Sequence, residues 1–225
     1  MENVKKHNWE EIKRLKPSVT LSRCSLTGDI RIIKMPTPAI NSILPVAGNE
    51  FVSYKLMMLL KSKGMDINVA KVELELSPDN NLNRNIALIE YLGEHSRIDQ
   101  KVNHKLVFPS WLYWFDRWIG RLDSNGDTNL LLIKKTKQVI PVDFAMAYHW
   151  ACGADVYCLK IDDFNVPASK IIADAKTSQA KEVIQSLTDQ EIKSVIYGNQ
   201  LNGFIPLTTR VAYYTGLCYR RDNLK

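Results

Sequence analysis

Between Phe115 and Tyr148 the chain reads FDRWIGRLDSNGDTNLLLIKKTKQVIPVDFAMAY. Three oxygen-bearing side chains there, Asp123, Asn129 and Asp143, fall at the ends of expected elements. An aromatic helix leads into a turn crowded with Asp and Asn, and two apolar strands follow, closing on Asp143-Phe144. A hairpin can bring such loop ends together. Two carboxylates and an amide so gathered suit a hard divalent cation, which prefers oxygen ligands. They also suit the orientation of an attacking hydroxyl, and the two together are what phosphoryl transfer needs. Ser124-Asn125-Gly126-Asp127 by itself reads as a tight turn, since Asn-Gly is a strong turn signal. Asp143 has no such explanation. It follows Val139-Ile140-Pro141-Val142, and a carboxylate buried after so apolar a strand needs a compensating partner, which a metal ion would provide.

Phosphoryl transfer also requires a cation on the phosphates. Lys34 sits on the second strand of an expected hairpin, where its ammonium can reach into a cleft. Glu50 opens an expected helix over 49–63 and is placed to pair with that lysine. Each also has a plain structural reading. A strand lysine is usually solvated, and a glutamate in a first helical turn is favoured by the macrodipole alone.

The elements that must position these residues read in order. Val19–Cys24 and Ile30–Met35 flank Leu26-Thr27-Gly28-Asp29, a hairpin turn. Pro36, Pro38 and Pro45 mark an irregular connection, and the helix over 49–63 ends at Gly64. Strands are expected over 67–76 and 86–92, separated by the polar loop SPDNNLNR, so the front third runs β-β-α-β-β. From His95 to Lys105 the sequence is charged and weakly patterned, which suggests a lobe boundary. Ser110 can cap a helix to Leu122, with Trp111, Trp114, Phe115, Trp118 and Ile119 at i, i+3, i+4 spacing; such a cluster is ordinarily core. Helical patterns follow at 167–186, at 188–197, where Thr188-Asp189-Gln190-Glu191 is a capping box, and at 206–221. The expected organisation is α+β and two-lobed: a strand-rich lobe over 1–94, a helical lobe over 95–225, and a cleft between.

Composition is permissive. The 225 residues are 45% apolar, enough for one sizeable core or two small lobes. Thirty Lys+Arg against 24 Asp+Glu leave a net charge of +6, which favours a polyanionic ligand only weakly. Lys134-Lys135-Thr136-Lys137 could touch nucleic acid, but a charged hairpin tip between LLLI and QVIP is ordinary, and no direct nucleic-acid role is expected. The four cysteines, Cys24, Cys152, Cys158 and Cys218, have no C-x-x-C pairing and read as free thiols in a reducing cytosol. MENVKKHNWEEIKRLK lacks a signal-peptide core, and no run approaches the roughly 20 apolar residues of a membrane span. A cytoplasmic protein with no membrane role is the expectation.

The ordered motifs resemble the HipA-like kinases, a branch of the protein-kinase-like fold. In that family a strand lysine is followed by an Asn-Glu pair opening a helix, matched here by IIKMP at 32–36 and Asn49-Glu50. The family's catalytic segment, roughly D-R-W-I-x-N-x-D-R-H-x-x-N-L-L-L, is matched by Asp116-Arg117-Trp118-Ile119, Asp123, and Asn129-Leu130-Leu131-Leu132. Its later metal-binding Asp corresponds to Asp143, its hinge strand to Ile89–Gly93, and its C-terminal helices to LTDQEIKSVI and Arg220-Arg221. The likeness covers most of residues 28–221. It implies ATP and Mg²⁺ as cofactors, with adenine docked against the backbone near Glu90–Leu92 and Lys34 on the phosphates, held by Glu50. It implies Asn129 and Asp143 on the metal and Asp123 orienting the acceptor. It further implies a protein serine/threonine substrate and, by analogy, a growth-arresting toxin beside an antitoxin-type partner.

Four departures set this chain apart. Asp123 and Asn129 are six apart where the family has five, so Asn125 or Asp127 could take a role. Ser124-Asn125 replaces the usual Arg-His, and no glycine follows Asp143-Phe144. Where a Gly/Ser-rich phosphate loop is expected, the chain has Arg14-Leu15-Lys16-Pro17-Ser18, leaving Lys16 and Ser18 to substitute with their side chains. An impaired pseudokinase acting as a nucleotide-binding interaction module is the alternative these departures support.

Overall fold

The computed structural model describes residues 8–36, 45–76, 85–97, 110–121, 129–148, 150 and 179–224. Its first sheet is five-stranded and antiparallel, in the order β1-β2-β3-β5-β4. The strands are β1 (Trp9–Lys16), β2 (Val19–Cys24), β3 (Ile30–Lys34), β4 (Val72–Glu75) and β5 (Ile86–Glu90). Helix α1 (Val46–Ser62) enters between β3 and β4 and packs on β4 and β5. The polar, charge-rich N-terminal segment thus forms β1, a strand the sequence pattern did not announce. Seven of its eight residues are exposed, so it carries no apolar alternation, and it is held by its ladder with β2.

Beyond Gly93 the chain leaves this sheet. The short strand β6 (His95–Arg97) pairs with β7 (Leu130–Ile133), which pairs with β8 (Val139–Pro141), forming a second antiparallel sheet. The stretch expected to be an unpatterned boundary therefore opens with a strand. The KKTK segment is the turn of the β7–β8 hairpin, with Lys137 donating its N–H to Ile133 at 2.8 Å and Lys134 paired with Glu94 at 3.2 Å. Helices α2 (Ser110–Ile119), α3 (Ala180–Ser186), α4 (Asp189–Ile196) and α5 (Leu207–Asp222) follow, with a 3₁₀ turn at Asn199–Leu201.

The apolar spacing in α2 has the outcome expected of core. Trp111, Trp114, Phe115, Trp118 and Ile119 are all buried, and the Trp118 indole N–H donates to the Leu217 carbonyl of α5 at 3.0 Å. α4 starts at the capping box, where Thr188 and Glu191 exchange hydrogen bonds. α1 stops where Gly64 takes φ +91°, a left-handed conformation that glycine adopts without Cβ strain. One apolar cluster runs continuously from α1 through α2 to α5. The fold is α+β, strand-rich in front and helical behind. Among the described residues no helix is long and apolar enough to cross a membrane. Cys24 and Cys218 are free thiols, Cys24 fully buried; Cys152 and Cys158 lie outside the described residues.

Candidate active site

Lys34 is the last residue of β3, in register with Val19 on one side and Ala87 on the other. Its ammonium donates to Glu50 Oε1 at 2.5 Å and also to Asp143 Oδ1. The expected Lys34–Glu50 pair therefore forms, and the helix dipole is not what accounts for Glu50. α1 begins at Val46, three residues earlier than the sequence suggests, which moves Glu50 out of the first turn. At 2% exposed, Glu50 is held by its lysine rather than by the weak field of a helix terminus. Burial alone would depress the Lys34 pKa, yet the Glu50 and Asp143 carboxylates outweigh it and raise the value above the ordinary lysine range.

Asp143 lies two residues beyond β8. The partner required by its position after an apolar strand is supplied by protein ammonium groups: Lys34 on Oδ1, and Lys16 Nζ on Oδ2 at 3.1 Å. The compensation that the sequence reading assigns to a metal ion is thus provided here by two lysines. Burial would raise the Asp143 pKa; the two ammonium groups, Lys34 foremost, overcome that and hold it at about 2.

The backbone at Asp143 has φ +68°, a costly conformation for a residue with a side chain. Arg121 over-determines it. This fully buried guanidinium donates to the carbonyls of Val142 and Asp143, the latter at 3.0 Å. It pairs with Asp116 at 3.4 Å and lies 4.4 Å from the centroid of the Phe144 ring. From the other side, Asn49 Nδ2 donates to the carbonyls of Ala145 at 2.8 Å and Ala147 at 3.2 Å, while its Oδ1 accepts from the Tyr213 hydroxyl. Tyr213 in turn stacks on Tyr148, whose hydroxyl meets Ser53 of α1 at 2.9 Å. Sequence reasoning used Asn49 only as the neighbour of Glu50 and missed Arg121 altogether. An arginine directly after an apolar helix and two residues before Asp123 was the available signal, since a charge entering a core needs carbonyl or carboxylate partners.

Lys34 and Asp143 stand at the polar end of a cleft of about 230 Å³ between the two sheets. Leu15, Val19, Ile32 and Ile89 form its walls on the side of the first sheet, with Leu131 and Val142 opposite. That is smaller than the roughly 300–1,000 Å³ of pockets that engulf a whole drug-sized ligand. Its walls are apolar, and its polar end carries the two lysines and Asp143.

The remaining sequence candidates fall as follows. Asn129 is buried immediately before β7, and its carbonyl accepts the Val142 N–H at 2.9 Å, which sets it beside the strand that leads to Asp143. Glu90 is tied to Lys71, its carboxylate accepting the Lys71 N–H at 3.1 Å, and Leu92 packs near Ala70, Ile133 and Ile140. Neither side chain lines the cleft, which is bounded by Ile89 and His95 on either side of that segment. Asp123, Asn125 and Asp127 lie outside the described residues. The donor chemistry here, a cleft-facing carboxylate at Asp143 with the carboxamide residue Asn129 one hydrogen bond away along the chain at Val142, fits a hard divalent cation. Among the described residues no cluster of three or more His, Cys, Asp or Glu forms a metal cage of its own. A cation here would complete its shell from phosphate and water.

This arrangement, a β-strand lysine held between a helix glutamate and a second carboxylate at one end of a cleft, sits on the fold of the kinases. The crystal structure of a Helicobacter pylori proinflammatory kinase, CtkA, is similar over 95% of this chain and 92% of its own, with a TM-score of 0.62 at 12% identity. Likeness at that identity speaks to the fold. No family model matches the sequence. No curated protein sequence matches it either.

Proposed function

We propose that the chain is an ATP- and Mg²⁺-dependent phosphotransferase, a HipA-like kinase acting on serine or threonine of a protein substrate. The observation that carries the reading is the shared position of Lys34 between Glu50 and Asp143 at the mouth of an apolar cleft. In this reading adenine enters between Val19 and Ile32 on one side and Leu131 and Val142 on the other, against the backbone of Glu90–Leu92. Lys34, its rotamer fixed by Glu50, binds phosphate oxygens. Asn129 and Asp143 would hold Mg²⁺, which when bound neutralises charge on the transferring phosphoryl group. Asp123 orients the acceptor hydroxyl. Little covalent chemistry is required of the protein, and rate comes from positioning and electrostatics. The division at residue 94 then separates a nucleotide-covering lobe from a lobe that carries the catalytic segment. A cytoplasmic growth regulator with an antitoxin-type protein partner completes the proposal.

A second reading has its own observation. The β1–β2 turn has Pro17-Ser18 at its centre and no glycine, so it offers phosphates few backbone amides. On that basis the protein would bind nucleotide without turning it over, as an interaction module. Incubation with γ-labelled ATP and Mg²⁺ separates the two. Label transferred by wild-type protein and not by Asp123→Ala or Asp143→Asn supports catalysis. Thermal stabilisation by ATP, about 2.7 kcal/mol at a hundred times Kd, with no label transferred, supports the module.

A further inference from the structure

The β1–β2 turn carries a cation where a kinase-type cleft is ordinarily covered by glycine-rich backbone. Lys16 and Val19 pair across Pro17-Ser18, so the turn has two central residues. Pro17 has no N–H to offer and the turn contains no glycine, so it presents fewer backbone donors to a phosphate than a glycine loop does.

The register of β1 against β2 shifts between Arg14 and Lys16. In a regular strand successive side chains point to opposite faces, so Leu15 and Lys16 could not both look into one cleft. The irregularity lets them do so, and both line it. Arg14, by contrast, is engaged outside the cleft with Glu11. The two lysines at the polar end also differ in freedom. Lys34 is 9% exposed and held by two carboxylates, whereas Lys16 is 42% exposed with Asp143 as its partner. An exposed ion pair is weak and readily exchanged.

We infer that Lys16 is a second nucleotide-phosphate ligand, a side chain doing the work of the absent glycine loop. The inference rests on the phosphotransferase reading above and adds to it the residue that grips the outer phosphates. Lys16 rests on Asp143 Oδ2 and passes to phosphate oxygens when the nucleotide arrives, freeing that carboxylate oxygen for the metal. No bond is made or broken in the exchange beyond hydrogen bonds and ion pairs.

Calorimetric titration of the full chain with adenosine, and with ATP plus Mg²⁺, tests the assignment in wild type, Lys16→Ala and Lys16→Arg. Loss of one charge-assisted contact is expected to weaken ATP binding about tenfold in Lys16→Ala. Adenosine affinity should stay within about twofold, and Lys16→Arg should recover most of the loss. ATP binding unchanged in Lys16→Ala overturns the inference, as does an equal loss for adenosine, which would make the turn merely structural. Wild-type protein that binds adenosine but gains nothing from the phosphates overturns the inference and leaves a base-binding cleft. Wild-type protein that binds neither ligand overturns it together with the reading beneath it.

Discussion

Lys34 and Asp143 stand 109 residues apart in the chain and meet in one ion pair, joining the end of β3 in the first sheet to the segment after β8 in the second. Glu50 closes the arrangement from α1. Three elements that share no local sequence are thus referenced to one ammonium group.

The Lys34 side chain is 9% exposed beside a glutamate side chain that is 2% exposed, so deleting the ammonium strands a buried charge. Lys34→Met is expected to destabilise the fold by about 3–5 kcal/mol. The double variant Lys34→Met/Glu50→Leu should recover part of this, since no lone carboxylate remains at that position. Urea unfolding of the two variants checks the difference; a double variant less stable than Lys34→Met would contradict it.

Acid should act through Asp143. Its folded pKa, about 2, lies below its ordinary value of 3.8, so its contribution is complete above about pH 4 and disappears as pH falls through 2. The shift corresponds to roughly 2 kcal/mol, about half of it gone by pH 3. The stability gap between wild type and Asp143→Asn should therefore narrow from pH 6 to pH 3 in denaturant titrations. A gap that stays constant or widens would show that the two lysines do not hold this carboxylate.

Much of this was legible beforehand. Val19–Cys24 is found with its expected bounds, the aromatic spacing of α2 marked core, and Lys34, Glu50 and Asp143 were all singled out. Ordered residue types at element ends are local information, and a sequence carries that well. β1 was illegible because an exposed edge strand has no burial pattern to betray it, only backbone hydrogen bonds. Arg121 and the second role of Asn49 were hidden for another reason. Their partners are backbone carbonyls of residues 142, 143, 145 and 147, which have no residue type to recognise. The compensation of Asp143 by Lys16, 127 positions away, is likewise a product of tertiary register.

Asn49 is fully buried, with both sides of its amide engaged. Asn49→Ala leaves two carbonyls and the Tyr213 hydroxyl with a lost partner, at an expected cost of about 1–3 kcal/mol. Because those carbonyls belong to the segment just after Asp143, nucleotide binding should weaken as well. Tyr213→Phe keeps the stack on Tyr148 and should cost less than Asn49→Ala. Equal losses in thermal unfolding would place the weight on the tyrosine hydroxyl instead.

Gly216 marks where α5 meets Trp150. A Cβ there would collide with the indole Nε1, which donates to the Ala212 carbonyl at 3.2 Å. Gly216→Ala must displace a buried indole, and overpacking of this kind costs about 1–3 kcal/mol. Chemical denaturation of the variant tests this, with wild-type stability as the contrary result.

The proposed function requires the cleft between the sheets to receive a nucleotide with its phosphates on Lys34 and a divalent ion on Asp143. A crystal structure of the chain with Mg²⁺ and a nonhydrolysable ATP analogue measures it directly. The account predicts the base between Val19 and Leu131, phosphate oxygens within hydrogen-bond reach of Lys34 Nζ, and Mg²⁺ coordinated by Asp143 and Asn129. A nucleotide bound elsewhere, or a metal that leaves Asp143 uncoordinated and still paired to both lysines, would contradict it.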